Sequence, residues 1–194
     1  MINARLLAVV CSMLIFSGVA FAFDSGRDGL VSANGQKKVL VVYYSWGGNT
    51  RSIARKIHSR VGGDLFEIVP RDPYPEDYTA ACDIAKQQKD HNITVPLKSG
   101  VDVSKYDVIF VGTPAWWGTM AIPVKSFLEA NRKAFRGKTI VPFVTHGGGG
   151  KYNIPAEMKR FSTAAELKPE IVIFEGGDSS TDKKISDWLG GIGF

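Results

Sequence analysis

Short apolar runs alternate with amphipathic stretches along the chain from Lys37 onward. Runs rich in β-branched and aromatic residues predict five strands, at 39–44, 65–69, 108–111, 139–144 and 171–174. The first run has no polar interruption, which is typical of a strand buried on both faces of a parallel sheet. The second run alternates more and stops at Pro70, which favours a place at the edge of the sheet.

The segments between these runs carry apolar residues at helical spacing, with polar residues on the opposite side. The apolar positions fall into five groups: Ile53, Ala54, Ile57 and Val61; Ala81, Ile84 and Ala85; Val124, Phe127 and Leu128; Ile154, Met158 and Phe161; Ile185, Trp188 and Leu189. Pro123 is suited to start the third helix, and the last begins near Ser180 or Thr181. Five strands alternating with helices predict an α/β fold, a parallel sheet covered on both faces.

Pro142 conflicts with this pattern because it lies within the fourth predicted strand. A proline has no N–H for the sheet, so a central strand should not tolerate it. The sequence predicts either a bulge at this position or a strand that begins after it.

The first 22 residues have the pattern of a signal peptide. Arg5 gives a positive start, the run 6–20 is apolar apart from small residues, and Ala20-Phe21-Ala22 fits a cleavage site. The run is short for a membrane span, although a retained anchor is the alternative. We therefore expect a signal peptide at 1–22, a flexible leader at 23–36 and one domain at 37–194, in a periplasmic or secreted protein.

Charge and cysteine content narrow the function classes. The net charge is +5, but the basic residues are scattered, which argues against a nucleic-acid-binding surface. Cleavage after Ala22 would leave Cys82 as the one cysteine, so no internal disulfide is expected. Its helical context predicts a small buried residue. The three histidines, His58, His91 and His146, are far apart in sequence, so no metal site is predicted.

The first strand is followed by Ser45-Trp46-Gly47-Gly48-Asn49-Thr50, which leads directly into a helix. Two glycines permit a tight turn that directs backbone N–H groups to one point, and a helix N-terminus favours an anion. Without the lysine of a Walker A loop, neutral donors would bind a monophosphate here. The alternative is a capped helix start after a glycine turn.

Two further strands end in unusual loops. The segment after the third strand runs from Gly112 to Thr119 and contains Trp116 and Trp117, which offer rigid faces for a flat heteroaromatic ring. We expect one tryptophan at the ligand and the other directed inward. The four glycines at 147–150, after Thr145 and His146, leave the backbone free to bind the edge of a pyrimidine-like ring. The alternatives are a packed tryptophan pair and a flexible loop.

A phosphate loop, an aromatic platform and a glycine-rich loop thus stand at the ends of neighbouring strands. On the motifs Tyr-Ser-x-x-Gly-Asn-Thr and Pro-x-Trp-Trp-Gly, the chain from Val39 onward resembles the flavodoxins, in their short bacterial form. The resemblance implies a flavodoxin-like three-layer sandwich with strand order 2-1-3-4-5 and a bound FMN that carries out electron transfer.

The resemblance implies that the first loop holds the FMN phosphate and that the other two flank the isoalloxazine ring. With neighbouring loop positions included, the predicted cofactor-binding residues are Ser45, Trp46, Gly47, Gly48, Asn49, Thr50, Thr113, Pro114, Ala115, Trp116, Trp117, Gly118, Thr145, His146, Gly147, Gly148, Gly149 and Tyr152. No catalytic acid, base or nucleophile is predicted, because the redox chemistry belongs to the cofactor. The partners would be redox proteins or a small quinone-like acceptor.

Three other functions compete with an exported electron carrier. An FMN-dependent NAD(P)H:quinone-type reductase would use the same site. A flavin-free binding module could keep the fold without the cofactor. A hydrolase is suggested by His146-Gly147-Gly148-Gly149 and by Gly177-Asp178-Ser179, but the chain has no G-x-S-x-G elbow.

The basic charge and the export signal of this chain depart from the usual acidic, cytoplasmic flavodoxins. The redox partners of those flavodoxins therefore cannot be assumed for this chain.

Overall fold

A computed structural model describes residues 37–194. The predicted signal peptide at 1–22 and the predicted leader at 23–36 lie outside the described residues, and both stay predictions. Within residues 37–194, no helix combines the length and the apolar character that crossing a membrane requires.

Seven strands and five α-helices follow one another along this region. The strands are β1 (Val39–Tyr43), β2 (Asp64–Glu67), β3 (Val108–Trp116), β4 (Thr119–Met120), β5 (Thr139–His146), β6 (Glu166–Leu167) and β7 (Ile171–Phe174). The helices are α1 (Asn49–Val61), α2 (Tyr78–Asp90), α3 (Ile122–Ala130), α4 (Ile154–Phe161) and α5 (Thr181–Gly191).

The sheet has the predicted order. It runs β2-β1-β3-β5, and β5 pairs on its far side with β6 and then with β7. Every pairing is parallel except that of β3 with the short β4. With β6 and β7 taken together as the fifth position, this is the 2-1-3-4-5 arrangement of an α/β sandwich.

Helices cover both faces of the sheet. Leu40 and Val42 of β1 join a core with α2, α3 and α4, whereas Val41 and Tyr43 join a second core with α1 and α5. Successive strand residues point to opposite faces. Because the two cores take alternate residues of one strand, β1 is buried on both sides, which confirms the interpretation of its unbroken apolar run.

Pro142 lies inside β5 without a bulge, so both explanations predicted from the sequence are wrong. The strand stays in register with β3, where Val111 pairs with Pro142. The Ile140 carbonyl accepts a hydrogen bond of 2.9 Å from the Lys168 N–H, so Ile140 and Pro142 both direct their backbone polar groups toward the β6–β7 edge. On that edge β6 pairs with Thr139 and Ile140 of β5, and the pairing with β7 begins only at Phe143. The missing N–H therefore falls in the break between two short strands.

The third strand is longer than predicted. The segment 112–116 continues β3, and β4 folds back on its end, where Trp116 pairs with Thr119. Position 112 requires glycine for packing, because a Cβ atom there would lie 2.1 Å from the Phe143 ring.

Two predictions of burial on α2 are wrong. Ile84 is 38% exposed, and Cys82 is only partly buried.

Candidate cofactor site

The loops after β1, β3 and β5 meet at one edge of the sheet because the carboxyl ends of these neighbouring parallel strands lie together. A buried hydrogen bond of 2.8 Å joins the Thr50 and Thr145 hydroxyl groups across 95 residues of sequence. It ties the first turn of α1 to the end of β5. Two predicted site loops are thereby held in a fixed relation.

The first loop has the geometry of an anion site. Gly48 adopts a left-handed φ of 92° just before α1, and its N–H donates a 3.1 Å hydrogen bond to the Ser45 hydroxyl. No atom lies within 4 Å of a Cβ placed on Gly47, so its backbone is open to a ligand. The first turn of α1 has no acidic side chain. The unpaired N–H groups of this turn are available to a phosphate.

Trp46 belongs to the first loop, and its side chain lines the space beside that loop. Its indole N–H donates a 3.0 Å hydrogen bond to the Pro75 carbonyl, and its ring centroid lies 6.2 Å from that of Tyr78. The indole is therefore fixed against the segment that leads into α2 and offers a face to the neighbouring space.

The two tryptophans after β3 point to different surroundings, as expected for adjacent residues. Trp116 packs edge-on against Tyr44 and Tyr74, with ring centroids 5.6 Å and 5.1 Å away. Burial raises the pKa of Tyr44 above its ordinary value, and it raises the pKa of Tyr74 to about 12. Trp117 is 48% exposed, and its indole N–H donates a 3.0 Å hydrogen bond to the Cys82 carbonyl of α2.

An aromatic pocket of about 290 Å³ lies between these walls. The predicted residues among its lining are Trp46, Ala115, Trp116, Trp117 and Tyr152. The lining also contains four residues of α2 that were not predicted from the sequence: Tyr78, Ala81, Cys82 and Ala85. No residue of the lining carries a formal charge at neutral pH, so the pocket suits a flat, largely apolar ring. The small residues at 81, 82 and 85 were visible in the sequence, but their place opposite Trp117 was not.

The glycine-rich loop after β5 is shaped by two side chains. His146 accepts a 3.0 Å hydrogen bond from the Gly148 N–H, and its ring lies against Phe174, with centroids 5.7 Å apart. Tyr152 has a left-handed φ of 48° and is 51% exposed. A Cβ atom on Gly149 would lie 1.7 Å from the Tyr152 hydroxyl, so glycine is required for this tyrosine position.

Thr113 supports the local backbone and is not exposed to a ligand. It is fully buried, donates a 2.9 Å hydrogen bond to the Pro114 carbonyl and accepts one of 3.0 Å from the Ala121 N–H. These bonds fix the two ends of the β3–β4 hairpin that carries Trp117 and Gly118.

Among residues 37–194, no group of three or more acidic, histidine or cysteine side chains has the arrangement of a metal site.

A parallel α/β sandwich with a glycine phosphate loop and an aromatic pocket at its carboxyl edge defines a mononucleotide-binding class of protein. The family model described as Flavodoxin matches residues 38–192. The chain therefore belongs to the flavodoxin family.

Solved structures agree with this assignment. A candidate flavoprotein from Bacteroides eggerthii is 30% identical with a TM-score of 0.70, and the match covers 81% of this chain and 99% of that one. A flavoprotein from Lactobacillus acidophilus, solved in complex with FMN, is 25% identical with a TM-score of 0.60 over 78% of this chain and 98% of that one. A candidate flavoprotein from Bacteroides uniformis shares the fold at 24% identity and a TM-score of 0.65, over 78% of this chain and 98% of that one.

Proposed function

We propose that this protein binds one FMN non-covalently and uses it to transfer electrons. The observation that carries the proposal is the meeting of the phosphate loop at 45–50 with the aromatic pocket of about 290 Å³ at the same edge of the sheet. FMN combines a phosphate monoester and a flat ring system in one molecule. Each part thus has a matching surface.

The residues present fit this cofactor. The open backbone at Gly47 and the N-terminus of α1 suit the phosphate, and Trp46 and Trp117 suit the ring. The similar Lactobacillus acidophilus protein is solved in complex with FMN, which supports the same ligand for this chain. We infer that Ser45 and Asn49 help to hold the phosphate, together with the backbone N–H of Thr50 in the first turn of α1.

When bound, FMN supplies one- and two-electron redox chemistry. The protein's part is to bind, orient and shield. Trp46 and Trp117 are each fixed by an indole hydrogen bond to a backbone carbonyl, so their faces are ordered before a ligand arrives. Ordering in advance lowers the entropic cost of binding. Trp116 excludes water from the inner side by packing on Tyr44 and Tyr74.

The site of action is part of the proposal. We infer that the protein works outside the cytoplasm, as a periplasmic or secreted protein, on the evidence of the signal-peptide pattern at 1–22. Its electron partners would then be exported redox proteins or a small quinone-like acceptor. The net charge is +5 for the whole chain, or +4 once Arg5 is removed with the signal peptide, and this positive charge favours partners with an acidic docking face.

A quinone-type reductase is the second candidate. The half-exposed Trp117 and Tyr152 stand at the rim of the aromatic pocket, which leaves a path for a small flat acceptor. The same residues support both functions, so a kinetic experiment must separate them.

The test begins with the chain from Phe23 onward. Its visible spectrum is recorded, and the apoprotein is titrated with FMN and with riboflavin by flavin fluorescence. We expect FMN to bind at least tenfold more tightly, because riboflavin lacks the phosphate. Equal affinity would overturn the role of the 45–50 loop, and no binding of either flavin would overturn the proposed function.

A second measurement separates the two candidates. The FMN-loaded protein is mixed with NADPH or NADH, with and without duroquinone, and oxidation of the nicotinamide is followed at 340 nm. Turnover that depends on duroquinone assigns a reductase. A protein that exchanges electrons with a chemical reductant but does not oxidise either nicotinamide is a carrier.

A further inference from the structure

Arg51 follows the phosphate loop directly and has a fixed orientation. Its Nε and Nη2 groups donate hydrogen bonds of 3.0 Å and 2.5 Å to the two carboxylate oxygens of Glu67 on β2. The Tyr43 hydroxyl donates a third bond, of 3.0 Å, to Glu67. A bidentate pair of this kind sets the plane of a guanidinium group as well as its position.

The Nη1 group of the guanidinium faces the loop and takes no part in the ion pair with Glu67. A guanidinium has five N–H groups, and within residues 37–194 the hydrogen bonds of Arg51 use only its Nε and Nη2. Nη1 lies 3.9 Å from the place of a Cβ atom on Gly48, at the turn that the loop makes before α1. The two N–H groups of Nη1 thus remain for an acceptor beside the loop.

The positive charge of the Arg51 guanidinium suits the cofactor phosphate. A phosphate monoester carries about −1.5 to −2 charges at neutral pH, and Arg pairs with it strongly. The hydrogen bond from Arg51 to Glu67 raises the pKa of the guanidinium, so the group stays charged. Glu67 offsets part of this charge, but it binds the far edge of the guanidinium, whereas Nη1 lies on the loop side.

We propose that the Arg51 guanidinium is a further ligand of the FMN phosphate and gives the protein part of its preference for FMN over riboflavin through its charge. This inference rests on the FMN binding proposed above. The sequence predicts a cradle of neutral donors. The ion pair with Glu67 adds a cationic ligand by holding an ordinary helix residue against the loop.

The test compares two charge-removing variants on the same helix. Arg51→Gln removes the proposed ligand, and Arg55→Gln removes an exposed charge one turn farther from the loop. FMN and riboflavin dissociation constants are measured for both by fluorescence titration of the apoprotein. We expect Arg51→Gln to weaken FMN binding about tenfold, or about 1.4 kcal/mol, with riboflavin binding unchanged. Arg55→Gln should change neither by more than about twofold.

A third variant, Arg51→Lys, keeps the charge but not the planar fork, and we expect it to lose less FMN affinity than Arg51→Gln. Equal losses for Lys and Gln would overturn the role of charge. Unchanged FMN affinity in Arg51→Gln, or an equal loss in Arg55→Gln or in riboflavin binding, would also overturn the inference. If the unmodified protein binds no FMN, the proposed function fails instead, so the two failures are distinct.

Discussion

Thr50 and Thr145 share a hydrogen bond of 2.8 Å between two buried hydroxyl groups, and this bond joins the start of α1 to the end of β5. The two residues come from different predicted loops of the site. Their pairing makes the phosphate loop part of the rigid sheet edge rather than a separate turn.

The first prediction concerns this bond. Thr145→Val keeps the shape of the side chain but leaves the Thr50 hydroxyl buried without its partner. We expect a loss of about 1 to 3 kcal/mol in the free energy of unfolding, measured by urea denaturation. The double variant Thr50→Val/Thr145→Val should lose less than the sum of the single variants. Strictly additive losses would mean that the two hydroxyl groups do not interact.

The second prediction separates the adjacent tryptophans. Trp116→Ala removes a ring packed on Tyr44 and Tyr74, so we expect a loss of stability of about 3 kcal/mol. Trp117→Ala removes a half-exposed ring, so stability should fall by less than about 1 kcal/mol while FMN affinity falls at least tenfold. Urea denaturation and flavin titration measure the two effects. If Trp117→Ala binds FMN normally, this ring is not part of the cofactor site.

The third prediction compares alanine substitutions at two glycines, one packed in the core and one open to solvent. Gly112→Ala would place a Cβ atom 2.1 Å from the Phe143 ring in the core, so we expect a loss of about 1 to 3 kcal/mol from overpacking. Gly47→Ala is the control for stability, because no atom lies within 4 Å of its Cβ position. Thermal unfolding compares the two variants. Equal midpoints would show that the contact between β3 and β5 relaxes without cost.

The fourth prediction concerns alkaline pH. Burial raises the pKa of Tyr74 from 10.0 to about 12, so the folded state favours the neutral phenol. The stability that this shift provides is present below pH 10 and is lost as the pH rises toward 12. Tyr74→Phe cannot ionise, so its free energy of unfolding should fall less between pH 8 and pH 11 than that of the unmodified protein. The same decline in both proteins would contradict the shift.

Phenol titration gives an independent check on Tyr74. Absorbance at 295 nm should show one fewer late-titrating phenol in Tyr74→Phe than in the unmodified protein. Titration of all phenols near pH 10 in the folded protein would be inconsistent with the burial of this ring.

Much of the fold could be predicted because its determinants are local. The unbroken apolar run at 39–43 and the helical spacing of Ile53, Ala54 and Ile57 each report burial within a short segment. Parallel order and right-handed crossovers then limit the topology. The glycine loop at 47–48 predicted a tight turn before a helix for the same reason, since backbone freedom is a property of single residues.

Other features depend on contacts between distant segments, so the sequence pattern alone did not reveal them. Pro142 is tolerated because the neighbouring edge is divided between β6 and β7. The α2 wall of the pocket follows from the contact of Trp117 with Cys82, 35 residues away.

By itself the sequence determined the five main strands, the five helices, their succession along the chain and the three loops, since each rests on the periodicity or conformational freedom of a short segment. The tertiary structure alone decided what faces those loops. The Thr50–Thr145 bond, the Arg51–Glu67 pair and the aromatic pocket join residues on different elements. Contacts of this kind are fixed by how the elements pack together, because side chains on separate elements meet only once the sheet and its helices are in place.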